Sequence, residues 1–143
     1  MNESAVIQLL VGVHKDQTAI ANALWVVYQT VTLALIGYVV SQEHVRRSAA
    51  QLAALSMGYV LFAYANQEAI VRAQKLIVAS VAALQDVSGS LGKASPVLSK
   101  FLCSYQAVDT ATLRLFHSLL CLVVLLVMWA MHMAQRRKVA NAT

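Results

Sequence analysis

Three long apolar runs, separated by polar intervals, organise this chain. Residues 19–40 and 49–65 carry no charged side chain, and 115–134 carries none apart from His117 and His132. A helix needs about 20 residues, with a range of about 17 to 25, to cross the hydrocarbon core of a bilayer. The pattern therefore predicts an all-α integral membrane protein with three transmembrane helices, over about 19–40, 49–66 and 114–134. The short second run reaches that length by continuing past Asn66.

The intervals between the runs are equally readable. Residues 4–13 predict a short helix lying at the membrane interface, and Asp16 or Thr18 offers a side-chain oxygen to cap the first span. The interval 41–48 is short, so the first two spans are expected as antiparallel neighbours. From 67 to 87 the pattern turns amphipathic. Ile70, Ile77, Val81 and Leu84 fall on one side, and Glu68, Arg72, Lys75 and Asp86 fall largely on another. Glu68 and Arg72 also have the i,i+4 order that favours a helical pair. The second helix is thus expected to run beyond the bilayer. "SGSLGKASP", 88–96, reads as a break. A short helix from Pro96 to Ala107 follows within the connecting region 88–112, with Asp109 and Thr110 opening the third span. A basic tail occupies 135–143, and the whole chain reads as one membrane domain, without a secretory signal peptide.

Composition strengthens this picture. Hydrophobic residues make up 59 % of the 143 and charged residues 12 %, about half the usual share. Eleven Lys and Arg with six Asp and Glu are too few to cover the surface of a water-soluble domain. The basic residues cluster beside the apolar runs: Arg46 and Arg47 between the first two, and Arg136, Arg137 and Lys138 directly after the third. Positive charge in short loops marks the cytoplasmic side. With both clusters inside, three crossings put the N-terminus outside and the C-terminus in the cytoplasm of a cell with a bacterial-type inner (plasma) membrane. The connection 66–113 mixes Arg72, Lys75, Lys93 and Lys100 with Glu68, Asp86 and Asp109, so the bias is modest. Topology and contact with anionic lipid account for the basic residues, and nucleic acid is not an expected partner.

Chemical motifs are sparse. Phosphate loops, dinucleotide fingerprints, paired CxxC and HExxH are absent, so no catalytic residue, cofactor site or metal site is assigned and the chain is not expected to be an enzyme. Cys103 and Cys121 would lie ~27 Å apart along a helix, too far for a bridge, and read as small apolar fillers. His117 and His132 read as interfacial residues at opposite ends of the third span, with Trp129 and the tyrosines Tyr59 and Tyr64 as headgroup anchors.

Two patterns suggest assembly. Thr18, Asn22, Trp25, Gln29 and Thr32 share one face of the first span, where amides in hydrocarbon need a partner or water. Thr18, Asn22, Gln29 and Thr32 are therefore candidates for a pore-lining or interhelical polar face. Ala50, Ala54 and Gly58 form a small-xxx-small series, a face for close packing within the chain or between chains. The expectation is a homo-oligomer forming a pore or ion channel, of the membrane-disrupting kind used in lysis or abortive-infection defence. The alternative is a non-catalytic subunit docked on another membrane protein. No acidic residue lies inside any run, which argues against a proton-coupled small-multidrug transporter. The layout of three spans with a basic inner tail resembles class I phage holins in architecture alone: no sequence motif is shared and the long 66–113 connection departs from it.

Overall fold

The computed structural model describes residues 3–91 and 95–141. Among these residues the chain is helical without strands: α1 Glu3–Ser41, α2 Glu43–Arg47, α3 Ala49–Leu91, α4 Pro96–Cys103 and α5 Thr110–Ala140. Two of them, α1 over Ser4–Ser41 and α5, are long and apolar enough to cross a membrane. In their most apolar stretches only 11 % and 22 % of the residues are buried. The core helix of a globular domain is mostly enclosed, and these are not. The first half of α3 is less apolar, diluted by Gln51, Ser56, Gly58, Tyr64 and Asn66.

α1 corrects one expectation. It runs unbroken from Glu3, with no separate helix over 4–13 and no new start at Asp16 or Thr18. Nothing stops it, since the segment has no proline and a lone Gly12. Thr18 Oγ1 donates 2.8 Å back to the carbonyl of His14, a bond made inside a helix rather than at a cap.

α3 buries Ile70, Ile77, Val81 and Leu84 and exposes Arg72, Lys75 and Asp86, following the amphipathic pattern. It continues through Ser88 and Gly89 to Leu91, past the expected end near Val87. One glycine costs a helix about 1 kcal/mol, and the Ser88 hydroxyl is anchored 3.0 Å from the carbonyl of Ser99. The remainder of the expected break, Gly92, Lys93 and Ala94, lies outside the described residues. α4 starts on Pro96 but ends at Cys103, short of Ala107. Side chains take over beyond it: Gln74 Nε2 donates to the Val108 carbonyl at 2.7 Å and Gln85 Nε2 to the Tyr105 carbonyl at 3.5 Å. Asp109 Oδ2 then accepts from the backbone N–H groups of Ala111 and Thr112 at 3.0 and 3.2 Å, capping α5 where the sequence places its start.

The helices contribute to two compact units. The connector unit takes described residues 3–24, 69–91 and 95–114. Its core joins Ala21 of α1 to Ala73, Ile77 and Val81 of α3, with Tyr105 and Ala107 packed alongside. His14 adds a 3.3 Å hydrogen bond to Ser80 and an edge-on contact with the Tyr105 ring. Cys103 does not fill a core here: it is exposed, its Sγ 3.1 Å from the Ser88 hydroxyl.

The hairpin unit takes residues 25–68 and 115–141. α1, the short α2 and α3 form an antiparallel hairpin, and α5 lies against it. Tyr28, Val39, Val45, Leu52, Tyr59, Ala63, Val124 and Met128 form the core. The outside is apolar too, with Leu33, Met57, Leu61, Leu122 and Leu126 each at least half exposed.

Candidate functional site

At one end of the hairpin unit, polar side chains from three helices meet inside an otherwise apolar setting. Tyr59 of α3 donates its hydroxyl proton to the Tyr28 hydroxyl of α1 at 2.9 Å. Thr32, one turn further along α1, lies 3.0 Å from the same Tyr59 oxygen. The Tyr28 ring stacks 4.2 Å from the imidazole of His117 on α5, and Trp25 sits 5.4 Å from it. Asn66 Nδ2 approaches His117 Nε2 at 3.5 Å, and next to it Gln67 Nε2 donates to the Ser118 hydroxyl at 3.1 Å. His117 is 1 % exposed and Tyr28 2 %. Beside this network, Val60, Tyr64, Gln67, His117, Ser118 and Cys121 line a notch of about 190 Å³.

This arrangement corrects two expectations. Tyr59 is an interior residue, because its hydroxyl finds Tyr28 and Thr32; only Tyr64 is exposed. His117 and His132 are both buried among the helices rather than exposed. The signal for the network was present in the sequence, since Asn66, Gln67 and His117 interrupt apolar runs and buried polar groups must find partners. What the sequence alone withheld was which residues meet. The network can tie three helices together and orient an imidazole. Among the described residues no group of three or more His, Cys, Asp or Glu side chains is placed to hold a metal ion.

At the other end of the unit, the two basic clusters come together. Arg46 Nη1 donates to the carbonyls of Val39, at 3.0 Å, and Val40, so the guanidinium closes carbonyls that the end of α1 leaves without helical partners. His132 Nδ1 on α5 donates to the Arg46 carbonyl at 2.6 Å. Glu43 receives Arg47 at 2.7 Å and Gln135 of α5 at 2.9 Å. The Arg47 guanidinium holds the Glu43 carboxyl below its ordinary range. Arg136, Arg137 and Lys138 are exposed on the last turns of α5.

The polar stripe of α1 divides. Thr18 is satisfied by His14 and Thr32 by Tyr59, whereas Asn22 and Gln29 are exposed with no side-chain hydrogen bond among the described residues. The small-residue series is also open. Ala50, Ala54 and Gly58 are exposed, and a Cβ added at Gly58 would meet nothing within 4 Å. Within the hairpin unit, the described residues leave this face open. Ala54 and Gly58 instead border a shallow groove with Val31, Leu35, Tyr59 and Phe62. Nearby, Ser56 Oγ is the buried side-chain oxygen left without a hydrogen-bond partner among the described residues. Comparison of the chain with models of protein families, with curated protein sequences and with solved structures gives no match in any of the three.

Proposed function

We propose that the chain crosses a bilayer three times and self-assembles into a pore or ion channel. Gln29 is the observation that carries the reading. It stands on the uncharged stretch of α1, exposed and without a hydrogen-bond partner among the described residues, flanked by exposed Val26, Val27, Val31 and Leu33. An amide facing hydrocarbon costs several kcal/mol per unsatisfied group. Water along an axis shared by several copies removes that cost, and Asn22, two turns earlier, continues the same face. The exposed Ala50, Ala54 and Gly58 supply a surface on which copies approach closely.

Helix lengths fit this division of labour. α1 and α3, with 39 and 43 residues, extend ~58 and ~65 Å, about twice the ~30 Å hydrocarbon thickness. The hairpin unit, with its apolar exterior, and the uncharged turns of α1 from Ala19 that lead into it are the embedded part. The second half of this proposal is topology. Arg46 and Arg47 meet Arg136, Arg137 and Lys138 at one end of the hairpin unit, which becomes the cytoplasmic end of a protein in a bacterial-type inner membrane. The chain acts as a membrane-disrupting effector, without catalysis.

The test is ion flux from liposomes holding the purified chain alone. Flux that scales with protein, and falls at least about tenfold in the Asn22→Leu/Gln29→Leu double variant while the oligomer persists in detergent, supports the pore. Such a loss corresponds to about 1.4 kcal/mol or more. Loss of the oligomer in that variant makes the stripe packing glue. Tight vesicles across applied potentials, from a chain that aggregates when produced alone, overturn the pore in favour of a subunit docked through the same small-residue face.

A further inference from the structure

We infer that Arg46 and Lys138 form a binding site for the phosphate of an anionic phospholipid, and the inference rests on the membrane reading above. The two cations border a pocket of about 270 Å³ whose other walls are Val40, Met131, Ala134 and Gln135. A cationic rim beside an apolar wall suits one class of ligand, an anionic head carrying a hydrocarbon tail. Met131, Ala134, Gln135 and Lys138 belong to the turns of α5 where the apolar run gives way to Gln135, Arg136, Arg137 and Lys138. On a membrane-spanning α5 this is headgroup level.

Arg46 is held in place for this task. Its Nη1 is fixed to the Val39 and Val40 carbonyls, and its own carbonyl is fixed by His132. Among the described residues no hydrogen bond uses Nε or Nη2, which leaves both for a phosphate, gripped by a guanidinium through paired N–H groups. Lys138 is exposed and makes no hydrogen bond or ion pair among the described residues. No carboxylate lines the pocket. In the neighbouring pocket, with Arg47, Gln135, Arg136, Val139 and Ala140, the Arg47 guanidinium is already paired to Glu43 at 2.7 Å. Two adjacent basic pockets thus carry different free charge, and the Arg46–Lys138 pocket is the phosphate site.

The experiment uses the full chain in detergent, with lipid retention read by native mass spectrometry. Phosphatidylglycerol and phosphatidylcholine with the same acyl chains are added in parallel, and inorganic phosphate in a third arm. Phosphatidylglycerol is expected to be retained over phosphatidylcholine. Lys138→Gln is expected to weaken that retention about fivefold, the effect of one basic residue at an anionic surface, with Arg136→Gln unchanged. Equal retention of the two lipids, or equal loss in the two variants, overturns the site. Displacement of phosphatidylglycerol by inorganic phosphate overturns the lipid in favour of a free anion. Alkaline washing of phosphatidylcholine vesicles tests the parent reading separately. A chain that washes off was never embedded, whereas one that stays but shows no lipid preference refutes this site alone.

Discussion

The hairpin and connector units are both antiparallel helical packings drawn from the same three long helices, yet they spend their polar groups differently. In the connector unit, side-chain amides bond backbone carbonyls, as Gln74 does with Val108 and Gln85 with Tyr105, His14 reaches across to Ser80, and charged residues face outward among Leu9, Leu76 and Phe101. In the hairpin unit, hydroxyls, amides and an imidazole bond one another across helices, and the outward face is mostly Val, Leu and Met, interrupted by Gln29. A helix whose surroundings are water can leave its exterior polar and needs its amides only to tie down loops. A helix whose surroundings are hydrocarbon must satisfy its polar groups within the protein or along a water-filled path. The contrast is what a border between two solvents would write into one chain.

The largest effect that can break this comparison is a charge on each exterior. Leu126, 60 % exposed on α5, and Val97, 84 % exposed on α4, are both surface residues by accessibility. Leu126→Arg is expected to cost about 2.5 to 3.5 kcal/mol of membrane insertion, and Val97→Arg to leave stability nearly unchanged. Insertion efficiency into microsomes and thermal unfolding in detergent read the two outcomes. Equal tolerance at both positions would dissolve the distinction between the units.

A smaller effect sharpens it. Tyr59→Phe removes the hydroxyl that both Tyr28 and Thr32 use. It is expected to cost about 1 to 3 kcal/mol of hairpin-unit stability, the range for stranding a buried polar partner. Asp109→Ala removes only the cap of α5 and is expected to cost about 1 kcal/mol. Denaturant midpoints of the two variants, read by tryptophan fluorescence from Trp25 and Trp129, rank them.

The smallest effect is at the hairpin turn. Arg47 lowers the Glu43 carboxyl from its ordinary range, so Glu43 contributes its stabilisation above that range and loses it as pH falls through the lowered value. The pair is exposed, so solvent screens it and the change in melting temperature should be slight. Arg47→Gln is expected to move the Glu43 titration, followed by NMR, back toward the ordinary carboxylate range.

Much of this architecture was legible in residue pattern. Ile70, Ile77, Val81 and Leu84 announced the buried face of α3 by spacing, and Asp109 announced the start of α5 by its chemistry. Reading failed where a residue's type allows two roles. Thr18 caps helices but also bonds one turn back inside them, and only the uninterrupted segment upstream decides between these. Tyr59 suits a headgroup until the Tyr28 hydroxyl is known to face it, a relation between residues that no local window contains. The stripe on α1 was legible as a face, but its division into satisfied threonines and exposed amides depended on where α3 lies.

The polar network also has a timetable. Tyr28 and Tyr59 are 31 residues apart, whereas Asn66 and His117 are 51 apart. A ribosome adding about 5 to 20 residues per second produces both tyrosines well before it reaches His117. The tyrosine pair can close as soon as the hairpin turns, but Asn66 and Gln67 wait several seconds for His117 and Ser118. During that interval Asn66 stands midway along the nascent α3 before the imidazole it meets has been made.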